Sequence, residues 1–292
     1  MSHKNKKSIH MEMNEVLQSK LHKGVGTSKH ARKVAGDTTT DAIFSFNTYK
    51  AYKKHCSYFI SWVRAKYKCK TLAQARQYAD EWLQMRIDEG KSAYTIKLEL
   101  AALCKLYGDT AADYIPTPPR LRKNIVRSRR QAVRDAHFSE ANHADFVEFC
   151  RSTGLRRAEL RALTGDKLVK DGDGRWCILV NKMSKGGRPR KAPIVGNVAK
   201  IVGMLQAAGT GRVFEKIPNG ADIHSYRAEY ATTVYLIHAR KTEDIPKENR
   251  YYRRKDMRGR PPLDRRAMGY ASAALGHSQG RINVVAEHYI RL

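Results

Sequence analysis

A packed core cannot run through residues 115–134, IPTPPRLRKNIVRSRRQAVR, so the chain has to fold separately on either side of them. Pro116, Pro118 and Pro119 bring no backbone donor and break regular structure. The chain then carries Arg120, Arg122, Lys123, Arg127, Arg129, Arg130 and Arg134 without one acidic residue, and charge runs of this kind face water. Residues 116–136 therefore read as a basic interdomain linker. On one side, residues 45–107 hold three successive apolar patterns at helical spacing: Phe46, Tyr49, Tyr52, Phe59, Ile60 and Val63; Leu72, Ala75, Tyr78, Trp82 and Leu83; and Ile96, Leu100, Leu103 and Leu106. Residues 41–115 are thus expected to form a small helical domain. Residues 1–40, polar and basic and containing GVGTSKHARKVAGDTTTD, are expected to form a flexible arm.

Residues 137–292 are mixed. Helical segments near 139–152 and 156–163 lead into KLVKDGDGRWCILVNKMSKGGRPRKAPIV, where DGDG and KGGRP separate three short strand-like runs. Helices resume near 197–207 and 225–239, a basic stretch covers about 240–263, and two helical runs surround LGHS. The expected class is mainly α with a small antiparallel β-sheet, α+β. No repeat at solenoid spacing occurs.

Charge names the partner. Fifty-six Lys and Arg against 28 Asp and Glu leave +28, a field that attracts polyanions, and its interleaving with tyrosines suits nucleic acid better than a membrane helix. No apolar run approaches the length of a membrane span and the first residues lack a secretory pattern, so a soluble cytoplasmic protein, nucleoid-associated in a bacterium when bound to DNA, is expected. The five cysteines, at 56, 69, 104, 150 and 177, are scattered and lack a C-x-x-C pair, which argues for buried thiols and against a disulfide framework or zinc cluster.

Four separated pieces carry cationic or proton-transferring groups, the requirement for phosphodiester chemistry without a metal. In TGLRRAEL, residues 153–160, Gly154 can end one helix so that Arg156 opens the next, where backbone N–H groups favour anions. Lys185, in the turn SKGGRP with Arg188, stands between two strands and can reach into a groove on a flexible stem. His224 and Arg227, three apart, can share one helix face and grip one phosphate. His277 follows Leu275-Gly276, and Tyr289 follows in the last helical run, at a spacing from Ile282 and Val285 that also suits a core tyrosine. Each piece alone is weak. The motif H-x-x-R, for example, occurs again at His288 to Arg291.

Their order, GLRR-E, hairpin Lys, H-x-x-R, LGH, Tyr, resembles the catalytic domain of the tyrosine recombinases, the phage and transposon integrases and chromosome-dimer resolvases. The resemblance covers about residues 138–292, with residues 45–107 similar to the family's core-binding domain. It implies that Arg156 and Arg227 hold the non-bridging oxygens of the scissile phosphate with Glu159 in support. It further implies that Lys185 protonates the leaving 5′-oxygen, that His224 and His277 complete the pocket, and that Tyr289 attacks to give a 3′-phosphotyrosyl link. No metal and no cofactor would be required. The implied partners are double-stranded DNA carrying specific recombination sites, three further copies of the chain in a tetramer, and an accessory DNA-bending or excision factor. Arg127, Arg129, Arg130 and Arg188 are expected to touch phosphates.

Two departures stand out. His224 and His277 are 53 residues apart, longer than in many relatives, the surplus being the basic stretch with Tyr251 and Tyr252, expected to meet DNA or a neighbouring protomer. The sequence stops three residues after Tyr289, so the tail that many relatives pass to a neighbour is expected to be missing. A topoisomerase-like relaxing enzyme and a non-catalytic DNA-binding relative are the alternatives.

Overall fold

The computed structural model describes residues 7–121, 138–181, 189–253, 260–278 and 280–292. The chain divides into two compact units, Met1–Leu121 and Arg122–Leu292. Both are dominated by helices, and the described strands form two small antiparallel sheets, so the class is mainly α within α+β.

The first unit consists of α1 (Ile9–Gly24), α2 (Lys29–Val34), α3 (Phe46–Tyr67), α4 (Leu72–Arg76), α5 (Ala79–Asp88) and α6 (Ala93–Tyr107). Within the stretch expected as a flexible arm, Ile9–Gly24 instead form the ordered helix α1. Ser8 caps it by accepting from Met11 N at 3.3 Å. Ile9, Met13, Leu17 and Leu21 then recur at steps of four and are buried against Phe59, Ile60 and Leu100. Charged residues on the other faces conceal this narrow stripe when composition is averaged. The packing is close at the helix end, where a Cβ on Gly24 would lie 2.4 Å from the Ile43 carbonyl oxygen. The second expected pattern divides at Gln77 and Tyr78 into α4 and α5.

The second unit contains α7 (Ala144–Thr153), α8 (Arg157–Ala162), β1 (Leu168–Lys170), β2 (Trp176–Val180), β3 (Arg190–Pro193), α9 (Val198–Ala208), α10 (Ile223–His238), β4 (Arg250–Tyr251), β5 (Leu263–Asp264), α11 (Arg265–Ala274) and α12 (Ile282–His288). The three strand-like runs form one antiparallel sheet in the order β1-β2-β3, with Leu168 opposite Ile178 and Val180 opposite Arg190. Phe149, Leu160, Ile178, Ala192, Ile201 and Leu205 fill one core between this sheet and α7 to α9. Ala228, Tyr230, Ala271, Leu275, Val285 and Ile290 fill another, which joins α10, α11 and α12.

Two local features aim the site. Gly154 ends α7 in the left-handed region at φ 59°, and a Cβ there would lie 2.1 Å from the Tyr230 ring, so no other residue turns the chain here. The long segment before α11 is anchored at its base. The Arg240 fork donates to both oxygens of buried Asp264 at 2.7 and 2.8 Å, Ile245 is buried, and β4 pairs with β5. No described helix is long and apolar enough to cross a membrane.

Candidate active site

Because α7 stops at Gly154, Arg156 becomes the N-cap of α8 and Glu159 its third residue. One Glu159 oxygen accepts the Arg156 backbone N–H at 2.8 Å and the other accepts Arg156 Nη1 at 2.8 Å. Arg190, from β3, grips the same carboxylate with both arms, at 3.1 and 2.9 Å. Burial alone would raise the Glu159 pKa, but the hydrogen bonds and charge of Arg190, together with Arg156, bring it down to about 2. A carboxylate depressed in this way supports the fold above its usual value near 4.5, and the support is lost as pH falls towards 2.

Arg227 is the centre of the arrangement. Its side chain, 1% exposed, donates through Nη1 to the Gly154 carbonyl and through Nη2 to the Leu275 carbonyl. Arg156 Nη2 reaches the same Leu275 oxygen at 3.4 Å. One guanidinium therefore ties the turn after α7 to the turn after α11. Arg190 supports the second turn from beneath. Its Nε donates to the Ala274 carbonyl at 3.0 Å, and a Cβ on Gly276, at φ 72°, would come within 2.8 Å of Arg190 Cδ.

That turn presents His277 beside Tyr289. The two rings are 5.8 Å apart and tilted by 60°, and the Arg227 guanidinium lies 5.7 Å from the Tyr289 ring centroid. Tyr289 is buried, and its N–H closes the last bond of α12 on Val285 at 2.9 Å. It is the C-cap of α12 and not, as periodicity suggests, a residue within the helix.

Three guanidiniums thus crowd around one carboxylate. Burial, then the neighbouring Arg156 charge, lowers Arg227 to about 10. Burial, then Arg227 and Arg156, lowers His277 to about 4. Arg227 Nε and His277 Nδ1 are buried without a hydrogen-bond partner among the described residues. Buried groups that the protein leaves unpaired beside surplus positive charge suit an acceptor-rich anion from outside. The titration has a direct check: His277, followed by its ring-proton shift in NMR, should titrate near pH 4 in the free protein. A midpoint at the ordinary 6.5 would show that neither burial nor the arginines act on it. By linkage, the neutral ring favours the fold fully above about 6.5, and that contribution falls away as pH drops through 4.

Of the residues expected from sequence, the structure brings together Arg156, Glu159, Arg227, His277 and Tyr289. His224 lies in the first turn of α10, three residues before Arg227, and is exposed. Lys185 and Arg188 lie outside the described residues, as do Arg127, Arg129 and Arg130. Arg190 was not anticipated. Strand alternation places it on the same face as buried Ala192, and an arginine facing a core requires a carboxylate partner, which was the available signal. Tyr270 is exposed and stacks on His238 at 4.1 Å. His238 lies eleven residues, about 16 Å of helix, beyond Arg227.

No family model and no curated protein matches this sequence. Among solved structures the chain is similar to the Tn1549 transposon integrase in complex with circular intermediate DNA, at 14% identity over 98% of this chain and 96% of that one, with a TM-score of 0.45. It is similar to the same integrase in complex with transposon right end DNA, at 13% identity over 98% and 96%, with a TM-score of 0.46. It is also similar to XerA recombinase, at 15% identity over 94% and 93%, with a TM-score of 0.27. Among the described residues no three His, Cys, Asp or Glu side chains group as a metal site.

Proposed function

We propose that this chain is a tyrosine-type site-specific DNA recombinase that cuts and rejoins duplex DNA through a covalent protein–DNA intermediate. The observation that carries this reading is the placement of the Tyr289 ring beside both Arg227 and His277, at 5.7 and 5.8 Å, in a cluster with more guanidinium than carboxylate. A tyrosine hydroxyl is an indifferent nucleophile at neutral pH, its ordinary pKa being about 10, so the phosphate must be made more electrophilic. Arg156 and Arg227 neutralise the non-bridging oxygens, and Glu159 and Arg190 hold Arg156 in place. Tyr289 Oη attacks phosphorus while the bond to the 5′-oxygen breaks. Lys185 supplies a proton to that oxygen, while His224 and His277 complete the pocket and take up the proton that Tyr289 gives up. The resulting 3′-phosphotyrosine retains the energy of the broken diester, so a new 5′-hydroxyl reverses the step without a nucleotide or metal.

In this reading the protein acts as a tetramer on two duplexes bearing its sites, assisted by a DNA-bending or excision factor. The linker arginines Arg127, Arg129 and Arg130, with Arg188, contact phosphates, and the segment 240–263 meets DNA or a neighbouring protomer. The test is to incubate the protein, with and without chelator, on duplexes carrying a nick beside the cleavage position, and to map any adduct by peptide sequencing. A chelator-insensitive adduct on the 3′-phosphate at Tyr289 is expected. DNA binding without any adduct would instead identify a non-catalytic relative, and relaxation without strand exchange a topoisomerase-like enzyme.

A further inference from the structure

The second H-x-x-R motif, His288 to Arg291, has no role in the proposed function, yet its arginine makes three hydrogen bonds to α10 beside Tyr289. Arg291 Nη2 donates to Ser225 Oγ at 3.0 Å and Nη1 to Glu229 at 3.3 Å, while the Arg291 backbone N–H donates to Thr232 Oγ1 at 2.9 Å. That hydroxyl also lies 3.3 Å from the Tyr289 carbonyl. Glu229 is held from its other side by Arg151 Nε. Ser225, Glu229 and Thr232 follow at i, i+4 and i+7, one stripe of α10. Between the two tied residues, Ile290 is completely buried.

We infer that Arg291 is a positioning residue that latches the segment bearing Tyr289 onto α10 of its own chain. The inference rests on Tyr289 being the nucleophile. Its force comes from the shared helix: α10 carries Arg227 and His224 as well as the three latch partners. One rigid element therefore sets the distance between the attacking oxygen and the groups that hold the phosphate. α12 has only seven residues and Tyr289 lies beyond its last turn, so the helix alone does not fix the ring, and the latch supplies that constraint from the far side. In this arrangement Arg291 acts through placement of the backbone on either side of Ile290.

The experiment compares single-turnover adduct formation with DNA affinity in the full-length protein for Arg291→Ala, Arg291→Lys, Glu229→Gln and Tyr289→Phe. A displacement of about 1 Å costs a reaction of this kind on the order of 10²-fold. Arg291→Ala should therefore slow adduct formation by about that factor while its DNA dissociation constant stays within about twofold of the parent. Arg291→Lys, which retains the ion pair with Glu229, should recover much of the loss. Glu229→Gln, which keeps the shape and removes the charge, should show a smaller loss of the same kind and serves if the alanine variant does not fold. Cleavage at the parent rate in both Arg291→Ala and Glu229→Gln would overturn the latch, as would a parallel loss of affinity and rate that lysine does not restore. An adduct that persists in Tyr289→Phe would remove the nucleophile assignment and the latch with it, whereas loss of the adduct there beside a fully active Arg291→Ala would remove the latch alone.

Discussion

Replacing Tyr289 with Phe is expected to reduce adduct formation by roughly 10⁴- to 10⁶-fold, the scale lost when an enzyme's nucleophile is removed, with little change in DNA affinity or stability. The ring is 5% exposed and packs beside Arg227 and His277, and phenylalanine preserves all of that area. What disappears is the oxygen that would bond to phosphorus. A gel-shift titration and a denaturing gel on the same samples separate the two quantities. An adduct retained at more than about a hundredth of the parent rate would mean that another residue attacks. A large loss of affinity would mean that the hydroxyl is needed to bind DNA.

The second large effect is expected at Arg227, and there stability and activity should fall together. Arg227→Ala withdraws its donor from the Gly154 carbonyl, leaves the Leu275 carbonyl to the longer bond from Arg156, and leaves a void where a long side chain was packed. Unsatisfied buried acceptors cost about 1–3 kcal/mol each, so a loss of about 3 kcal/mol is expected after relief of repulsion with Arg156 and Arg190. For a unit of this size that lowers the melting temperature by roughly 6–12 °C. Cleavage should fall by at least about 10³-fold, since the variant also loses charge stabilisation at the phosphate. Arg227→Lys retains the charge but has no fork to span two carbonyls. It should regain part of the stability and little of the rate. A melting temperature within about 2 °C of the parent for Arg227→Ala would show that the two turns do not depend on the staple.

The second unit was legible in sequence to different depths. Helix and strand positions after residue 138 could be read because apolar period, glycines and turn dipeptides agree there; TGLRR is an instance, with Gly154 both ending α7 and placing Arg156 at a cap. The first forty residues could not be read in the same way. Ile9, Met13, Leu17 and Leu21 form a stripe only one residue wide, embedded in charge, and its burial depends on Phe59 and Leu100 far along the chain. Arg190 was hidden for a related reason: a strand pattern gives its face, but its partner Glu159 is 31 residues away and belongs to a helix. The two roles of Arg227 were equally out of reach, because H-x-x-R reports a face and a charge and says nothing of carbonyls at 154 and 275.

The staple made by Arg227 separates two kinds of evidence for enzymatic competence. If the proposed cleavage were lost in a lineage of such chains, selection for a stable fold alone would still retain Arg227, Glu159 and Arg190, since each of them holds turns or neutralises buried charge. At Tyr289 packing calls for the ring, which is buried beside Arg227 and His277, whereas the proposed bond to phosphorus calls for the oxygen. Retention of the arginines and the glutamate therefore speaks for the fold, and retention of the phenolic oxygen speaks for the proposed chemistry.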